Sequence, residues 1–73
     1  MSDERDRAVE AMRRAARWMS DVTRTVHAAR AAAEAGDIER AASLLRASVT
    51  AVNAVRHDIG YARIALGRAR DAG

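Results

Sequence analysis

Few side chains in this 73-residue chain could do chemistry, and their spacing limits what that chemistry could be. His57 and Asp58 are adjacent. Neighbours on a helix point about 100° apart, so they cannot act as a base and the group that orients it. Ser20, Asp21 and His27 do not share one helical face, so they form no nucleophile–base set. A Gly-rich phosphate loop, an HExxH motif and the Glu-x-x-His of di-iron bundles are all missing. Glu10 lies four residues before Arg14, and Asp21 lies between Arg17 and Arg24. At those spacings they read as surface ion pairs. No catalytic residue is expected, and the chain is not read as an enzyme.

Metal and haem chemistry fares little better. The only histidines are His27 and His57, about nine and twenty residues from the central turn. On a hairpin that separates them by roughly 16 Å along the axis. The chain has no Cys, which removes thiolate ligands and disulfides. Met12 and Met19 read as core filler rather than copper or haem ligands. No cofactor or metal site is expected, and a metal- or haem-binding bundle stands third among the readings.

Charge points more clearly to a partner. Thirteen Arg and no Lys face ten Asp and Glu, for a net charge of +3. Four of the acids fall in residues 1–10, so the rest of the chain is more basic than the total suggests. Arg56, Arg63 and Arg70 recur every seven residues, and Arg13, Arg17 and Arg24 form a similar row. Such rows can track phosphates, and Arg suits bidentate contacts to them. Codon usage in a GC-rich genome also yields an Arg-only cation set. A small basic hairpin that dimerises is similar in outline to the RNA-binding helical hairpins of plasmids, so RNA or DNA binding is the alternative reading. Glu39, Ser43 and Arg46 resemble the start of the motif by which hairpin anti-sigma factors bind cyclic-di-GMP. That motif continues with Gln and Asp, where this chain has Thr50 and Ala54. A further patch is His57, Tyr61 and Ile64, spaced to share the outward face of a helix. An exposed Tyr and Ile beside Arg is a surface that partners use.

Two helices must position these residues. Nineteen Ala, no Pro and almost no aromatics favour helix over strand. Ala35-Gly36-Asp37 interrupts the pattern: Gly36 suits a left-handed C-cap and Asp37 an N-cap. Followed by Ile-Glu-Arg-Ala, this segment resembles the turn inside tetratricopeptide-type repeats, though these helices are longer and no second copy follows. Ser2 can cap the first helix, with Asp3, Glu4 and Asp6 at the positive end of its dipole. The spacing predicts one domain over 1–73, with helices at about 3–35 and 37–70 and a turn at 36–37. Gly60 interrupts the helix formers and marks a kink, a close backbone contact or a break with a short third helix from Tyr61; a continuous or slightly kinked second helix is the expectation.

The second helix carries a heptad seam: Ile38, Ala41, Leu45, Ser48, Val52, Val55, Ile59, Ala62, Leu66 and Ala69. The first carries a broader band, with Val9, Met12, Ala16, Met19 and Val26 in one stripe. Ala8, Ala11, Ala15, Trp18, Val22 and Ala29 run beside it. A broad band suits a helix with two neighbours, as in a bundle. The expected fold is therefore all-α: an antiparallel hairpin assembling as a homodimeric four-helix bundle. Its expected core is Met12, Met19, Trp18, Val26, Ile38, Leu45, Val52, Val55, Ile59 and Leu66. His57, Tyr61, Ile64, Arg56, Arg63 and Arg70 are expected to face a macromolecular partner. The longest uncharged run, Ala47 to Val55, is far too short for a membrane span. The expectation is a cytoplasmic, non-enzymatic regulatory or adaptor module that binds itself and another macromolecule, with no membrane contact.

Overall fold

The computed structural model describes residues 3–72, and they form two long helices, α1 (Asp3–Glu34) and α2 (Ile38–Ala72). The expected cap Ser2 lies outside the described residues. Asp3, Glu4 and Asp6 occupy the first turn of α1, where carboxylates meet the positive end of the dipole. Gly36 has φ +84°, the left-handed value that a C-cap glycine supplies. Asp37 N–H donates to Ala32 O at 2.8 Å and Gly36 N–H donates to Ala33 O at 3.0 Å. This bond pair is the Schellman motif, and it satisfies carbonyls that the end of α1 would otherwise leave open. Asp37 then turns the chain into α2: its Oδ1 accepts from Arg40 N–H at 3.2 Å. Two residues thus end one helix and cap the next. Gly60 sits inside the unbroken span of α2.

The helices lie antiparallel and pack along their whole length, in a rod of Cα extents 55 × 14 × 11 Å. Their contact surface is made almost wholly of alanine. α1 contributes Ala8, Ala11, Ala15, Ala29 and Ala32. α2 contributes Ala41, Ser48, Ala51, Val55, Asp58, Ala62 and Ala65. Single methyls let two helices approach closely, and Ala8 and Ala11 reach zero exposure against Ala62 and Ala65. Ser48 Oγ turns back to donate to Leu44 O at 3.0 Å, so its hydroxyl is satisfied within the helix.

The expected seam of α2 is half right. Ala41, Ser48, Val55 and Ala62 face α1. Ile38, Leu45, Val52, Ile59 and Leu66 do not, being 40–66% exposed. Leu44, Ala51, Asp58 and Ala65 take their place on the other side of the shared column. The cause is steric: opposite an alanine surface, a close approach admits small residues and excludes a row of Leu and Ile. Among the described residues no large side chain is fully buried. No described helix is long and apolar enough to cross a membrane.

Candidate interaction faces

The large residues left out of the hairpin seam gather on one side. Met12, Ile59 and Leu66 line a common surface depression with Ala62 and Arg63. Met12 therefore lies beside Ile59, and one heptad further along the antiparallel pair Met19 comes level with Val52, then Val26 with Leu45, then Ala33 with Ile38. The Arg14–Asp58 ion pair fits this register. The result is a stripe of Leu, Ile, Val and Met running the length of the hairpin. Val9 and Val49 widen it, at 36% and 60% exposure. Of the expected core, Val55 alone is buried inside the hairpin. Met12, Met19, Val26, Ile38, Leu45, Val52, Ile59 and Leu66 all belong to this exposed face. Trp18 does not.

Trp18 falls on the seam column of α1, three residues from Ala15 and seven from Ala11. An indole has no room between alanine-packed helices. It leans out on the opposite side, into a depression shared with Arg14, Arg17 and Asp21. It is 40% exposed and lies away from the apolar stripe that gathers the other large members of the expected core. Sequence reasoning missed the signal, which was a bulky aromatic in a column of alanines.

The residues expected to meet a partner are divided. His57, Tyr61 and Ile64 are exposed on the outer side of α2. Arg56, Arg63 and Arg70 lie one row away, beside Ile59 and Leu66, and border the apolar stripe. Asp58 turns inward, so His57 and Asp58 diverge. Its carboxylate Oδ1 accepts from Arg14 Nε at 3.5 Å across the helix pair. Their side chains are 11% and 43% exposed respectively. This was also missed, because Asp58 sits on the small-residue column that was not read as the seam.

The remaining ion pairs are local. Glu4–Arg7, Glu10–Arg13, Asp21–Arg24 and Arg30–Glu34 lie on α1, and Arg70–Asp71 ends α2. The expected Glu10–Arg14 pair is replaced by Glu10–Arg13 and Arg14–Asp58, and of the two arginines expected beside Asp21 it is Arg24 that pairs with it. Arg56 and Arg63 make no ion pair among the described residues. His27 is exposed on α1, and no group of three metal-binding side chains occurs among the described residues. No family model matches the chain, and neither a curated protein nor a solved structure shows significant similarity to it.

Proposed function

We propose that this chain is a non-enzymatic, self-associating helical module: two hairpins pack apolar stripe to apolar stripe as a homodimeric four-helix bundle. Its outward side chains then serve a regulatory or adaptor role by binding another macromolecule. One observation carries the reading. Large hydrophobic side chains are spent on an exposed face that runs the length of the rod, while alanine fills the hairpin's own seam. A face of that kind on a soluble monomer is unusual and marks an interaction site. A rectangle of 55 × 14 Å covers roughly 800 Å², which is what each partner contributes to a stable interface of standard size. In such a dimer His57, Tyr61 and Ile64 stay outside, free for a second partner.

Sedimentation velocity tests the reading. A species of twice 7.9 kDa at micromolar concentration is expected. A folded monomer there would overturn it. The second reading, RNA or DNA binding, is favoured by the ion-pair-free Arg56 and Arg63. Binding of that kind would weaken steeply with salt, by roughly 0.9 log units in affinity per log unit of salt for each duplex phosphate neutralised. Salt-insensitive binding, or none, removes it.

A further inference from the structure

We infer that the second copy lies antiparallel to the first, each turn over the open end of its partner, on a twofold axis through the Met19–Val52 layer. This rests on the self-association proposed above. It adds a direction, which two independent gradients along the face select.

The first gradient is size. From the open end to the turn, the layers run Arg5 with Leu66, Met12 with Ile59, Met19 with Val52, Val26 with Leu45, and Ala33 with Ile38. Side-chain bulk is greatest at the open end and least at the turn. If both turns were at one end, the bulkiest layers would meet each other and the Ala33 layers would face across a gap. Close packing tolerates neither crowding nor voids. Reversed, the thick layers meet the thin ones. Met12 and Ile59 meet Val26 and Leu45 of the second copy, Arg5 and Leu66 meet its Ala33 and Ile38, and Met19 and Val52 meet themselves.

The second gradient is charge. At the open end the borders of the stripe carry Arg56 and Arg63, which make no ion pair among the described residues, while Arg13 pairs with Glu10 and Arg70 with Asp71. At the turn they carry Glu34, Asp37 and Glu39 against Arg30 and Arg46. Arg30 and Glu34 pair with each other, which leaves Asp37 and Glu39 against Arg46. Turns at one end would stack two basic ends. The reversed copy sets each basic end against an acid-bearing turn, which fixes direction more than it adds affinity.

The absence of native Cys makes site-specific labelling clean. Ala35→Cys, an exposed position at the turn, carries a nitroxide in each copy, and double electron–electron resonance reads the distance between them. At 1.5 Å per residue the reversed dimer places the labels roughly 45–50 Å apart. A distance below roughly 25 Å, about twice a helix diameter, puts both turns at one end and overturns the direction while leaving self-association intact. A monomeric mass with no dipolar modulation overturns both. Val52→Cys provides a second readout that does not depend on the turn. At the twofold axis it should oxidise to a disulfide-linked dimer, whereas Leu45→Cys should not. The opposite pattern overturns the stated axis.

Discussion

Ile59 and Ile64 allow a controlled test of which face is the interface. They are the same residue type, five positions apart on one helix, and their exposures are 54% and 55%. A hairpin acting alone would treat them alike. Ile59 lies in the apolar stripe beside Met12 and Leu66, while Ile64 lies on the outer side with His57. Burying a whole Ile is worth about 1.5–3 kcal/mol, so covering the exposed half of Ile59 gives about 1 kcal/mol per copy. A twofold dimer counts it twice. Ile59→Asp forfeits that gain and also buries two carboxylates, each costing at least about 1 kcal/mol beyond it. The dimer should weaken by about 4 kcal/mol, close to a thousandfold in dissociation constant.

Ile64→Asp changes a solvated position and should stay within about 0.5 kcal/mol of the parent. Sedimentation velocity across a concentration series reads both variants, with circular dichroism confirming that helix is retained. Equal behaviour of the two would refute the assignment of the interface. Dissociation by Ile64→Asp alone would move it to the opposite face.

Other perturbations probe the hairpin itself through urea unfolding. Gly36→Ala forces an L side chain to φ +84° and should cost about 1–2 kcal/mol. Gly60→Ala should add about 1 kcal/mol, because the site is helical and a methyl there meets nothing within 4 Å. The Arg14–Asp58 pair should respond asymmetrically. Arg14→Ala strands a carboxylate that is 11% exposed, at about 1–3 kcal/mol. Asp58→Ala extends the alanine seam and frees a half-exposed guanidinium, at under about 1 kcal/mol. Equal losses would mean that the pair contributes through attraction rather than through the desolvated acid. For the unmodified chain the thermal midpoint should rise with protein concentration, as it must when folding and association are linked. A concentration-independent midpoint would contradict self-association.

The turn was legible because its chemistry is local. Only a left-handed position favours Gly36, and only an N-cap favours Asp37 directly after it, so two residues divide the chain into two helices. The rotation of the helices about their axes was not local. On α2 the column Ala41, Ser48, Val55, Ala62 has a small-residue column on one side and a large one on the other. Periodicity fits either pairing. Hydrophobicity favours Leu45, Val52 and Ile59, and that choice misplaces the seam. The deciding information sits on α1, where Ala8, Ala11 and Ala15 offer a surface that only other small residues can approach closely. Two alanine surfaces together close the hairpin, and the bulkier column is then displaced rather than unused. It meets Met12 from the other helix to form one face. The same misreading hid Asp58 and grouped Trp18 with the residues of the stripe. Both stand on the alanine columns: the acid finds Arg14 across the gap, and the indole has no room and leans into solvent. A sequence that assigns its smallest residues to one contact and its largest to another specifies two interfaces of different closeness, and only the first can form within a single chain.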